Sequence, residues 1–436
     1  MKNYLKQSRL SDCIEQVIDY RGKTPKKLGG DWSEAGYRAV SANNVKHDGL
    51  QNIDSIRYLD EALYKKWMKV EVKRGDLLLT SEAPAGQIMV WDSEEKIVLS
   101  QRIYGLRVND KFNNWFLKYY LQSKTGQREI FRNNSGSTVF GISAETFDNI
   151  LICHPEKSEQ INIGKLLSTL DSKIEINRRI NVELESLVRT IFDYWFVQFD
   201  FPDQDKKPYK HNGGEMLWNE KLKRNIPGGW EVDNILKVGD LLGGGTPKTN
   251  VPSYWGNEIP FFTPRDTDDT IFVLSTQDNI TKVGLDSCSS KLYPKGTVFI
   301  TARGTVGNIN VAAQDMAMNQ SCYALRPKPE INYYFLHQCA INLVHYLKAK
   351  SNGSIFDAIV SNDIKLTPIV IPPIPLIHEF GQITQGMYET ILVNKRENKI
   401  LTELRNWLMP MLINGQVTIR NANNEIIKDP PNMYKD

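Results

Sequence analysis

The chain lacks any run of about 18 apolar residues, so no segment reads as a membrane-spanning helix. Its N-terminus, "MKNYLKQSRL", has no apolar stretch of the signal-peptide kind. Cysteine is sparse. The five residues Cys13, Cys153, Cys288, Cys322 and Cys339 are an odd number with no CxxC pair, which gives neither a disulfide framework nor a zinc site and fits a reducing cytoplasm. The six histidines show no ligand spacing such as HExxH, so no metal is expected. A surplus of one charge is also missing. With 54 Lys and Arg against 51 Asp and Glu, the net charge of +3 permits nucleic-acid binding without arguing for it. The remainder, 436 residues with 41% hydrophobic and 24% charged content, suits two or three cored domains of a soluble protein. The expected location is the cytoplasm.

Signatures of catalysis are missing too. "GGGTPKT" (243–249) has glycines, a lysine and a hydroxyl residue, but a phosphate loop needs Lys directly after its second flanking glycine. Here Pro247 sits just before Lys248 and has no amide hydrogen to aim at a phosphate. "DPPN" (429–432) resembles an adenine-methyltransferase motif, yet Asn432 replaces the aromatic that would stack on a flipped base. "DSEEK" (92–96) contains a Glu-x-Lys fragment found in nucleases and reads as a solvated turn. No catalytic residue and no cofactor are expected in this chain.

What is present is a repeat. Thr24-Pro25-Lys26 returns as Thr246-Pro247-Lys248, and "YRAVSANN" (37–44) lies against "IPFFTPRD" (259–266), both at an offset of 222. "RGDLLLTSEAPAGQIMV" (74–90) matches "KGTVFITARGTVGNINV" (295–311) at 221, "SQRIYGLR" matches "NQSCYALR" at 219, and "SGS" (135–137) matches "NGS" (352–354) at 217. Register held this closely implies tandem duplication. Each copy opens with short β-type runs such as "DLLLTS" and "TVFITA", punctuated by Gly, Pro and Asn, with a helical stretch such as "NWFLKYYLQS". Each closes with a long helix.

The first helix carries an apolar seam at alternating spacings of four and three: Leu170, Ile174, Asn177, Asn181, Leu184, Ile191. The second repeats it at an offset of 217 as Met387, Ile391, Asn394, Asn398, Leu401 and Leu408, asparagines included. Asparagine in a seam costs stability but selects register; a solvated edge of the seam is the alternative reading. The expected fold class is α+β. A mixed α/β domain plus a long helix occurs twice, with the helices paired as an antiparallel coiled coil of pseudo-two-fold symmetry. Such a rod is roughly 50 Å long and would hold two heads apart on the scale of a DNA turn, about 34 Å. The expected divisions are a first domain 1–156, a helix 157–199, a linker 200–225, a second domain 226–376, a helix 377–415 and a polar tail 416–436.

Candidate DNA contacts come from small polar and basic loops at equivalent places in both copies. In the first they are Arg21, Lys23 and Lys26 around the Thr-Pro turn, Asn43, Asn44 and Lys46, and Ser135 and Ser137. In the second they are Thr246, Lys248, Arg265, Lys348, Lys350 and Ser354. Taken singly, each is an ordinary loop residue; collectively they suit a surface contact.

Over essentially its whole length the chain resembles the DNA-specificity subunits of type I restriction–modification systems. The resemblance rests on "NIPGGWEV", "GGTPK…YWGNEIPFFTPRD", "SQRIYGLRV", "NQSCYALRP" and the helix "LLSTLDSKIEINRRINVELESLVRTIFDYWFVQFDFP". Its counterpart "YETILVNKRENKILTELRNWLMPMLINGQV" carries it too. It implies two target-recognition domains, each reading one half of an asymmetric split DNA site, on a helical spacer that sets the gap. It implies a non-catalytic chain that binds double-stranded DNA and two modification subunits, which hold S-adenosylmethionine and methylate adenine. Two restriction subunits, which use ATP and Mg, complete the assembly. The rival readings are a self-contained methyltransferase or nuclease, which the missing motifs oppose, and an assembly scaffold that never touches DNA.

Overall fold

The computed structural model describes residues 5–132, 141–350 and 358–419. It divides into two compact units, Met1–Ile174 with Ile400–Asp436, and Glu175–Lys399. Among the described residues no helix is long and apolar enough to cross a membrane.

In the first unit a four-stranded antiparallel sheet is built from β1 (Ile14–Asp19), β2 (Leu77–Thr80), β3 (Ile88–Val90) and β4 (Ile103–Val108), in the order β1-β4-β2-β3. The consecutive leucines of β2 follow from burial of both sheet faces. Successive side chains in a strand point opposite ways, so Leu77 and Leu79 enter one core with Phe116, Leu117, Ile163 and Leu167. Leu78 enters the other with Val40, Trp67 and Leu99. A smaller sheet places Tyr37–Val40 between Arg57–Leu59, antiparallel, and Val98–Leu99, parallel. Helix α1 (Asn114–Gln122) covers the main sheet, its first turn capped by Asn113 accepting from the Phe116 amide at 2.9 Å. The long helix α2 (Lys157–Phe192) follows.

The second unit repeats this plan. Its main sheet is β5 (Gly239–Gly243), β6 (Phe272–Val273), β7 (Val298–Thr301), β8 (Ile309–Ala312) and β9 (Cys322–Pro327), in the order β5-β9-β7-β8-β6. Val298 and Ile300 of β7 face one core and Phe299 the other, as in β2. Trp255–Phe262 lies between Asn279–Ile280, antiparallel, and Ala317–Met318, parallel. Helix α3 (Tyr333–Lys350) takes the place of α1, and α4 (Ile374–Ile413) is the second long helix. Close packing of each covering helix on its long helix uses a matched glycine. A Cβ at Gly164 would lie 2.5 Å from Asn113 Oδ1, and one at Gly381 2.4 Å from Asn332 Nδ2.

Residues 200–225, expected as a linker, are ordered by their own packing. Met216–Asn219 pairs with Arg224–Pro227, and Phe201 stacks on Trp230 at 5.0 Å. The aromatic end of α2 builds the second unit's core, with Phe196 5.1 Å from Phe335 and 5.3 Å from Phe380. Of the expected tail, residues 420–436 lie outside the described residues; Ile419 before them donates its amide to Glu159 at 2.8 Å.

Each long helix contributes to both units. Within the second unit they pair antiparallel through the asparagines: Asn177 donates to Asn398 at 2.9 Å, and Asn394 to Asn181 at 2.9 Å. Asn181 also donates to the Ile391 carbonyl at 3.3 Å. Asn177, Asn181 and Asn394 are buried, as are Ile174 and Ile391, while Leu170, Leu184, Ile191, Met387, Leu401 and Leu408 are half-buried. A buried amide without its partner costs about 1–3 kcal/mol, whereas replacing both partners can be nearly neutral. Asn394→Leu is therefore expected to destabilise the chain by about that amount, and Asn181→Leu/Asn394→Leu together by clearly less. Chemical denaturation of the two variants checks this.

Candidate nucleic-acid interface

The Thr-Pro-Lys turn of the first unit leaves edge strand β1. Thr24 accepts the Lys27 amide at 3.3 Å, the 3₁₀ turn Lys26–Leu28 follows, and Gly29 closes it at φ 79°. In the second unit the same motif leaves edge strand β5 without a helical turn. There the glycines serve close packing. A Cβ at Gly244 would lie 2.1 Å from the Asn319 carbonyl oxygen, and the Gly245 amide donates to the Met318 carbonyl at 3.2 Å. That amide is spent inside the fold, so the loop is no phosphate cradle.

The candidate contact residues separate into two groups. Arg21 stacks on Tyr104, 3.9 Å from the ring centre, pairs with Asp19 at 2.9 Å and donates to the Ile142 carbonyl at 3.1 Å. Lys23 donates to the Trp67 carbonyl at 3.0 Å, and burial, with Lys69 nearby, lowers its pKa. Asn44 corrects the sequence reading. It is 1% exposed, accepts from the Ser41 amide at 3.1 Å and donates to the carbonyls of Gln51 at 3.2 Å and Asn52 at 3.0 Å. Its amide staples the loop and is not offered to a base edge. Arg265 is exposed but pairs with Asp278 at 2.9 Å.

Asn43, Lys26, Thr246, Lys248, Lys348 and Lys350 are exposed, and Lys46 is half-buried. Asn43 still donates to Ser55 at 3.1 Å, and Thr246 donates to Gln320. Lys26 and Lys248, on equivalent turns, have no acidic partner among the described residues. Ser135, Ser137 and Ser354 lie outside the described residues. The turn at Lys26 follows edge strand β1, and the hairpin that carries Lys46 packs against β3 at the opposite edge of the same sheet. The hairpin is tied to β3 by His47, whose Nδ1 accepts the Ile88 amide at 3.3 Å. Three strand spacings, about 14 Å, separate those edges.

What holds each domain on its long helix is a polar joint at matched positions. In the first unit Asp171 of α2 accepts from Lys118 at 3.2 Å, the Tyr119 hydroxyl at 2.5 Å and Arg405 at 2.7 Å. Burial works to raise the Asp171 pKa, but Lys118, Tyr119 and Arg405 outweigh it and hold the carboxyl below its ordinary range. In the second unit the equivalent residues are Tyr388, His337 and Gln338. The His337 Nδ1 lies 2.8 Å from the Tyr388 hydroxyl, which accepts from Gln338 at 3.1 Å. Burial pushes the His337 pKa down to about 3, so the ring is neutral. One joint is ionic and the other neutral. Among the described residues no group of three His, Cys, Asp or Glu could hold a metal.

The sequence model of the family described as "Type I restriction modification DNA specificity domain" matches residues 6–186 and 227–403. The chain belongs to this family. The two matched spans of this specificity subunit coincide with its two repeats. It is 23% identical to the type I restriction enzyme HindI specificity subunit of Haemophilus influenzae, over 89% of this chain and 100% of that protein. It is 25% identical to the MjaIX specificity subunit of Methanocaldococcus jannaschii, over 79% of this chain and 78% of that one. The crystal structure of the type I system S subunit from M. genitalium has the same fold, with a TM-score of 0.60 at 16% identity over 94% of this chain and 97% of its own.

Sequence reasoning about the specificity subunit missed Asp171, Tyr388, Lys395 and Arg405. Asp171 and Tyr388 sit at the offset of 217 shared by the helices, and that register was the available signal. Unlike residues at matched positions hid it. Glu185 of α2 is a further half-buried acid. Burial pushes its carboxyl up to about 7 despite the opposing pull of the Ile271 amide and Lys395.

Two outcomes follow from these groups. Asp171→Asn strands the buried Lys118 without its counter-ion and leaves Arg405 only Asp48, and it is expected to cost about 3–5 kcal/mol, read by denaturation at neutral pH. The Glu185 carboxyl titrates higher in the folded chain than in the unfolded one, so it subtracts stability as pH rises from about 4 to its folded pKa, and fully above that. Glu185→Gln is expected to raise Tm by a few degrees at pH 8, with the gain gone below pH 4, measured by thermal melts across pH.

Proposed function

We propose that this specificity subunit, without catalytic groups of its own, reads a two-part asymmetric DNA target, one part per recognition domain. It presents that target to modification and restriction subunits. The observation that carries the reading is the pairing of conserved frame with altered loops. Both units share the order of four main-sheet strands, to which the second adds β6 at one edge, together with helix placement and the glycine contact. The loops share a cap, Ser41 donating to Asn44 and Thr263 to Asp266, but differ beyond it: Asn44 donates onward to the Gln51 and Asn52 carbonyls, whereas Asp266 accepts the Gln277 amide at 2.7 Å. One frame with two loop chemistries suits two different half-sites.

Large apolar side chains exposed at matched positions on the long helices support two equivalent modification subunits. Ile176 and Leu187 on α2 correspond to Val393 and Leu404 on α4, all four exposed. S-adenosylmethionine belongs on those partners, and ATP with Mg on two restriction subunits, in a cytoplasmic complex. The candidate contacts retained are Lys26, Asn43, Lys46, Thr246, Lys248, Arg265, Lys348 and Lys350, with Arg21 and Lys23 as supports.

Mapping methylated adenines genome-wide with and without this gene tests the reading. A split motif is expected to vanish on deletion, and an unchanged methylation pattern would overturn it. One heptad inserted into each long helix adds about 10 Å and is expected to lengthen the gap in the motif by about three base pairs. The same mapping reads this, and an unchanged gap argues against the helices as the spacer.

A further inference from the structure

Both candidate reading loops are fastened to one helix. In the second unit Lys395 of α4 reaches the segment that joins Trp255–Phe262 to β6. Its ammonium contacts both carboxylate oxygens of Asp268, at 3.1 and 2.8 Å, together with the Thr270 hydroxyl and the Phe272 carbonyl. An ammonium has three hydrogens, so four acceptors saturate it. One turn further along α4, Lys399 donates to Ser275 at 3.2 Å. Ile271 anchors the end of the segment in the core, while residues 264–270 before it are half-buried or exposed. A cavity of 370 Å³ lies against it, lined by Glu185, Asp268, Thr270, Asn308, His337 and Lys348. Its remaining ties are polar, chiefly Asn310 donating to the Thr270 carbonyl at 2.6 Å and the Asp268 carbonyl at 3.3 Å.

The first unit has the counterpart. Asp48, in the hairpin that carries Lys46, accepts from Arg405 of α4 at 3.1 Å. Asp48 and Asp268 occupy near-equivalent places in the repeat, an offset of 220. Their cations do not: the position of α2 equivalent to Lys395 is Arg178, exposed, and that equivalent to Arg405 is Val188, buried. The duplication therefore preserved an acid in each reading loop, while α4 alone supplies both cations.

We infer that Lys395 and Arg405 are positioning residues for sequence reading, each holding one recognition loop in its reading geometry through the acid of that loop. This rests on the proposed DNA role. The Lys395 side chain is 17% exposed and the Asp268 side chain 52%, so removing the cation leaves an acid that water can solvate. The chain then keeps its fold while the loop gains freedom.

The test uses the full chain, co-expressed with the modification subunit of its system, in Lys395→Met, Lys395→Arg and Asp48→Asn forms. Asp48→Asn leaves the Arg405–Asp171 pair intact. Lys395→Met is expected to raise methylation at sites mismatched in one half of the motif by roughly tenfold, with the other half unchanged. Asp48→Asn is expected to relax the opposite half, and Lys395→Arg to restore discrimination. Amide hydrogen exchange of the purified chain gives a readout that needs no DNA: faster exchange over 264–275 in Lys395→Met, with 41–55 unaltered. Equal relaxation of both halves, or unchanged exchange and motif alongside a normal wild-type split motif, overturns the latch. A wild-type complex that yields no split motif, with faster exchange in Lys395→Met, overturns the DNA reading and leaves the mechanical latch standing.

Discussion

Asn181 and Asn394 lie buried between two helices, and each amide finds a partner because it meets the other. An apolar seam would accept several registers at similar energy; two buried amides accept one. A slip of a single turn would break both Asn–Asn pairs and leave at most one, Asn177 opposite Asn394 or Asn181 opposite Asn398. This constraint sets which residues of α2 lie opposite which of α4. It also brings Arg405 to Asp171, since that pair continues the same antiparallel register.

From that register the two units diverge in chemistry at conserved geometry. Each puts a polar side chain of a long helix against the second turn of a covering helix, at matched positions. One copy uses a carboxylate between two cations and a hydroxyl; the other uses a phenol between an imidazole and an amide. A buried carboxylate needs compensating charge, so Lys118 and Arg405 had to be kept together with it. The neutral joint carries no such demand, and Val188 fills the place equivalent to Arg405 with an apolar contact. The candidate contact loops differ further, each tied down by hydrogen bonds that involve few residues.

Much of the frame could be read from residues because the relevant forces are local or periodic. The unbroken apolar runs in "DLLLTS" and "TVFITA" report two buried faces, and the spacing of four and three reports a paired helix. The offset that drifts by five residues reports a duplicated fold. Individual contacts were less legible. Asn44 reads as an exposed recognition amide until the carbonyls of Gln51 and Asn52 are known to converge on it. Arg21 reads as a free cation until Tyr104 is known to lie beneath it. Lys395 sits 127 residues from Asp268, and no periodicity links them.

By itself the order of residues determined that there are two like domains and two long helices, and to which family they belong, because repetition and amphipathic spacing are properties of the string. Only the folded chain decided which polar side chains face solvent and which are consumed inside. That choice depends on where distant carbonyls, rings and carboxylates arrive once the sheets and helices have packed.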